Sequence, residues 1–140
     1  MNKNNPNTPE KSNSRNFTET IVWSNGLFVI PLVFTLLSDS YIHAAVISVA
    51  VLFSVLYHLS HESNWKYYDI FLAFTLITSN LFAVVQASIG YFIVAIVLSL
   101  LSGYIYFYAQ KRNYILYHPY WHVVSVAITS TCTFGYLVSN

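Results

Sequence analysis

From Ile70 to Gln110 the chain runs for 41 residues without one charged side chain. As a helix that run would rise about 60 Å, roughly twice the hydrocarbon thickness of a bilayer. It is therefore read as crossing a membrane twice, with Gln86-Ala87-Ser88-Ile89-Gly90 as the turn. Composition agrees: of 140 residues 56% are hydrophobic and only 8% charged, where a soluble domain is about one-quarter charged. Five charges (Lys3, Glu10, Lys11, Arg15, Glu19) stand in the first 20 positions, leaving Asp39, Glu62, Lys66, Asp69, Lys111 and Arg112 for the rest. So few charges cannot build a water-facing surface. That excludes a soluble globular enzyme and leaves an all-α integral membrane helix bundle. A net charge of +1 gives no nucleic-acid footprint. A single cysteine excludes an internal disulfide and a cysteine-based zinc cluster.

Residues 1–20, rich in Asn, Pro, Ser and charge, are read as a disordered, solvated tail. They do not form a secretory signal, because a long polar stretch precedes the first apolar run and no small-residue cleavage site follows it. Five spans follow, at about 21–38, 41–59, 67–86, 89–109 and 118–138, with a kink expected at Pro31. The breaks are Ser38-Asp39-Ser40, the SHESNWK segment, the 86–90 turn and Lys111-Arg112-Asn113. No internal repeat is visible.

Five crossings put the tail, the 60–67 loop and the 109–117 loop on one side. All six Lys and Arg residues (3, 11, 15, 66, 111, 112) fall there, so the positive-inside rule makes that side cytoplasmic, the N-terminus included. Trp65, Tyr67, Tyr68, Tyr106, Tyr108, Tyr114, Tyr117, Tyr120 and Trp121 crowd the same side and read as an anchoring aromatic belt.

Ionisable groups inside a membrane are costly and usually face the bundle interior. Ser54 and His58, four apart, end the second span; Asp69 opens the third; His118 and His122, again four apart, open the fifth. They share one membrane depth, near the cytoplasmic face. Three neutral imidazoles with one open position form a known catalytic zinc arrangement. Zn2+ would lower the pKa of a bound water to about 7. Asp69 would orient that water or take its proton, and Ser54 would donate to it or to a developing oxyanion. The chemistry is hydrolysis of a carbonyl bond in a membrane lipid arriving laterally from the bilayer.

Simpler roles stand beside these. A histidine in a membrane helix often only bonds a neighbouring helix, and Asp69 can pair with Lys66 at the interface. His43, 15 residues before His58 and so about 22 Å away, is left out of the site. His61 is placed in the loop or at the interface. Cys132, Ser99, Ser102 and Gly103 read as small packing residues. The residue before a proline avoids the α region, so His118 ahead of Pro119 is expected at a helix N-cap.

The blocks Ser54-Val55-Leu56-Tyr57-His58, Asp69 and His118-Pro119-Tyr120-Trp121-His122 resemble the motifs of the CREST superfamily of membrane hydrolases. Alkaline ceramidases, progestin and adiponectin receptors, lipid-remodelling hydrolases and myomaker-like proteins belong to that group. Tyr57 before His58, Tyr68-Asp69, and Trp121 before His122 are most similar to the myomaker-like branch. The resemblance implies zinc on His58, His118 and His122, with Asp69 and Ser54 acting through the metal-bound water. It also implies a shortened version of a seven-helix bundle. Removing one hairpin between the third and last spans keeps the final histidines cytoplasmic, and a homodimer would supply the missing wall.

The leading reading is thus a zinc-dependent lipid amidase or esterase, ceramidase-like or phospholipase-like. The second is a non-enzymatic remodelling, fusion or receptor-like protein that keeps zinc as a structural tie. A haem protein using His58 and His122 comes third, because it leaves His118, Asp69 and Ser54 idle. A di-iron site lacks ligands, and a transporter lacks broken-helix pairs or repeats.

Overall fold

The structure, a computed structural model, describes residues 19–60 and 63–140. The expected tail therefore lies outside the described residues up to position 18, and so does His61. Within them every regular element is helical, and five segments are long and apolar enough to cross a membrane: Glu19–Leu37, Tyr41–Ser60, Asn64–Val84, Ile89–Arg112 and Tyr114–Ser139.

The first segment is two helices, α1 (19–26) and α2 (Val29–Leu37), joined by a turn at Leu27 and Phe28. The break comes one turn ahead of Pro31. A proline has no N–H to give and its ring crowds the carbonyl four residues earlier, here that of Leu27. The chain answers with tighter bonds, Phe28 N–H to Asn25 O and Ile30 N–H to Leu27 O, both 3.1 Å. The turn also drives the Phe28 ring into the core. After α2 the chain reverses at Asp39, whose φ of 54° is left-handed, a conformation that Asp tolerates better than most residues. The Tyr41 hydroxyl donates to its carboxylate at 2.8 Å.

Helix α3 (Tyr41–Ser60) and α4 (Ser63–Val84) follow. The fourth segment holds α5 (Ile89–Tyr104), a π-helical turn (Ile105–Ala109) and the short α6 (Gln110–Arg112). It runs to Arg112 rather than stopping at 109, and α4 starts at Ser63 rather than at 67. Both helices continue through their basic residues, Lys66, Lys111 and Arg112, all exposed, because long cationic side chains carry their charge out to water.

The last helix, α7 (Tyr114–Ser139), corrects two expectations. It begins four residues before 118, and His118 is not its cap. Asn113 is: its backbone is extended (φ −154°, ψ 94°) and its side chain accepts from the Leu116 N–H at 3.0 Å. Capping a free N–H with a side-chain oxygen is a strong start signal. Pro119 then falls in the second turn, where it removes a single backbone bond, the one Ile115 would have accepted.

Helix α7 packs along α2, α4 and α5, while α3 packs on α4 and, less extensively, α2. Helices α3 and α7 thus face each other across the bundle without close backbone packing. One core cluster joins Phe28, Ile47, Ala50, Leu76 and Val126; another joins Ala83, Val84, Ala95 and Cys132. Cys132 is a packing residue, 1% exposed. Gly103 is not: space is open beside it. The close approach is at Gly135, where an added Cβ would lie 2.8 Å from Tyr91 Cγ and 3.0 Å from Ala87 Cβ. Ser99 spends its hydroxyl on the Ala95 carbonyl of its own helix, 2.7 Å away.

Candidate metal centre

The end of α3 carries His58, the first two turns of α4 carry Asp69, and the second and third turns of α7 carry His118 and His122. Residues four apart share a helix face, so both α7 imidazoles point at the last turn of α3. The three rings are 5%, 6% and 3% exposed. His118 Nε2 lies 3.1 Å from His58 Nε2 and 3.2 Å from His122 Nε2. One nitrogen from each ring falls within 4.8 Å of the others. These three residues are close enough to bind one metal ion.

The donor chemistry fits that role. A ring nitrogen holds one proton or one lone pair, yet His118 Nε2 faces two other nitrogens. A single proton cannot make two good hydrogen bonds there, whereas three lone pairs aimed at one cation are all used. Nitrogens about 2.0–2.1 Å from a tetrahedral zinc are about 3.3–3.4 Å apart, close to the spacings seen. His118 Nδ1 is buried without a hydrogen-bond partner, so its ring is fixed by other means.

Those means are aromatic. Tyr114, one turn before His118, stacks on its ring (centroids 4.5 Å apart, planes 27° apart), and Trp121, one turn after, lies at 5.6 Å and 27°. Tyr106, delivered by the π-helical turn, leans on Trp121 at 5.5 Å. Tyr57 packs on His58 at 4.8 Å. Tyr106, Tyr114 and Trp121 are therefore more than the anchors expected of a belt: they clamp a candidate ligand. The i−4 and i+3 spacing around His118 was the signal in the sequence.

Ser54 sits one turn before His58 and is buried. Its hydroxyl lies beside the Asp69 carboxylate, though without strict hydrogen-bond geometry. Asp69 is half-buried and turned towards Ser54, while Lys66 is exposed, so the interfacial Lys66–Asp69 pair is not formed. All five site residues expected from the sequence thus lie at one end of the bundle. His43 is elsewhere: at the other end of α3 it bonds Asn80 of α4 at 3.1 Å, and Asn80 in turn donates to Thr129 of α7 at 3.0 Å. Sequence reasoning passed over Asn80 and Thr129, and over Gln110, buried with an unpartnered amide nitrogen.

No family model, curated protein or solved structure matches the chain.

Proposed function

We propose that the chain is a membrane-embedded, zinc-dependent hydrolase that cleaves an amide or ester bond of a lipid. The observation that carries this reading is the meeting of three buried imidazole nitrogens from α3 and α7, with Ser54 and Asp69 on neighbouring turns. Imidazole donors suit zinc, copper, iron and nickel. A three-histidine set without thiolates, at tetrahedral spacing, favours zinc. Bound there, zinc would polarise a carbonyl and make water acidic enough to attack near neutral pH. Asp69 takes the proton of the attacking water and returns it to the leaving amine or alcohol. Ser54 donates to the oxygen that gains charge. Because the donors are fixed by helix packing and stacked rings, little rearrangement is needed when charge develops.

The end of the bundle that holds Lys66, Lys111 and Arg112 is assigned to the cytoplasmic face by the positive-inside rule. The similarity of the Ser54–His58, Asp69 and His118–His122 blocks to the CREST motifs supports the same reading, with five spans where seven are usual. The α5 segment is the least buried, with 17% of its apolar window inside the bundle, and in this proposal its outer face takes up a second copy of the chain.

Metal analysis of protein purified in detergent tests the proposal. One zinc per chain is expected, lost in His58→Ala, His118→Ala and His122→Ala; wild-type protein free of zinc sinks it. Burial of all three rings to 6% exposure or less also suits a competing reading, a structural metal tie in a remodelling or receptor-like protein. Asp69→Asn separates the two: in the hydrolase it ends turnover of a lipid amide or ester and spares the metal, and in the structural protein it changes neither.

A further inference from the structure

We propose that the buried chain His43–Asn80–Thr129 is a register lock that positions the three metal-binding histidines. This deepens the metal-centre reading and rests on it. Asn80 Oδ1 can only accept, so His43 donates to it through Nε2–H at 3.1 Å. Asn80 Nδ2 donates to Thr129 Oγ1 at 3.0 Å, and Thr129 donates on to the Ser125 carbonyl at 2.9 Å. The three residues are 8%, 6% and 0% exposed. One polar chain therefore spans α3, α4 and α7, the helices that carry His58, Asp69 and the pair His118 and His122.

The need for such a lock follows from the packing. Helices α3 and α7 lack close backbone packing. Between the lock and the metal centre they meet through Ile47, Ala50 and Val126, with Leu76 and Phe28, smooth side chains that resist separation but not roll. A ring nitrogen about 5–6 Å from its helix axis moves about 1 Å for every 10° of roll. A metal site tolerates about 0.2 Å. Directional bonds are what hold a helix to a few degrees, and the lock supplies them. Thr129 is seven residues from His122, about 10 Å along α7. The lock and the metal centre thus grip the same two helices at different depths. His43, Asn80 and Thr129 are positioning residues: none touches the metal ligands.

The test uses the full chain in nanodiscs, with zinc as the probe. Zinc affinity is read by chelator competition, thermal stability in parallel, for wild type, Asn80→Leu, Thr129→Val and the packing control Leu76→Ala. The lock predicts zinc binding at least about fivefold weaker in Asn80→Leu and Thr129→Val, and near wild-type affinity in Leu76→Ala even where its melting temperature falls as far. Wild-type affinity in both lock variants, or equal loss in the control, overturns it. A second readout is independent of zinc: the spin-label distance between positions 59 and 120, narrow in wild type and broadened by Thr129→Val, which removes one link and leaves the His43–Asn80 bond. An unchanged distribution refutes the lock even if wild-type protein binds no metal, an outcome that separately ends the metal reading.

Discussion

His118 is the most crowded ring in the molecule. It meets His58 and His122 nitrogen to nitrogen and is stacked by Tyr114 and Trp121. Removing it deletes a donor and leaves the other two unsupported, so His118→Ala should abolish zinc binding measured by elemental analysis. Trp121→Leu keeps all three donors and loosens one. Its expected effect is a weaker site, about 10-fold or more in zinc affinity, with the helical content unchanged by circular dichroism. Asp69→Asn should lower turnover of a lipid substrate by about 10²–10⁴ while metal content stays whole. Much of this centre was legible because i,i+4 spacing is a local property: Ser54 with His58, and His118 with His122, announce a shared face from sequence alone. Asn80 was not legible. It sits in an otherwise apolar run, and its partners are 37 and 49 positions away, so nothing local marks it as anything but a lone polar residue.

Two helix features have consequences of their own. The cap at Asn113 sets where α7 begins, and with it the turn on which His118 and His122 lie. Asn113→Ala should cost about 1 kcal/mol, read as a lower melting temperature, and Asn113→Asp should recover most of it. At Gly135 the obstacle is Tyr91 Cβ and Cγ and Ala87 Cβ at 2.8–3.0 Å. Atoms so near the backbone cannot swing aside. Gly135→Ala should therefore push α5 from α7 and destabilise by about 1–3 kcal/mol; a melting temperature equal to wild type would contradict the packing described. Sequence favoured Gly103 over Gly135 because small residues look alike until their neighbours are known. It also placed the start of α7 late, because the X-Pro rule at His118 is a tendency and the Asn113 cap outweighs it.

Across the whole molecule, hydropathy sets the number of spans, and five segments follow from it directly. Which helices touch is beyond hydropathy, since lipid is as apolar as a helix face and long side chains point outwards throughout, Phe71, Phe74 and Ile77 among them. Sidedness can be measured. In a Cys132→Ala background, cysteines at positions 66 and 111 should react with an impermeant maleimide only from the cytoplasmic side, and one at position 39 only from the opposite side. Reaction of both sets from one side would dismantle the topology and the depth assigned to the site.

The widened turn at Ile105–Ala109 makes the segment intolerant of shortening. Each residue of an α-helix advances the chain by about 100°. Excising any one of those five would restore the common pitch and swing all that follows by that angle. Gln110, now interior, would face the acyl chains, and the phenol that props the indole beside His118 would turn away. A genetic lesion there would disable the centre without altering a ligand, and restoring the missing position, whatever its side chain, would do more to repair it than any change among the histidines.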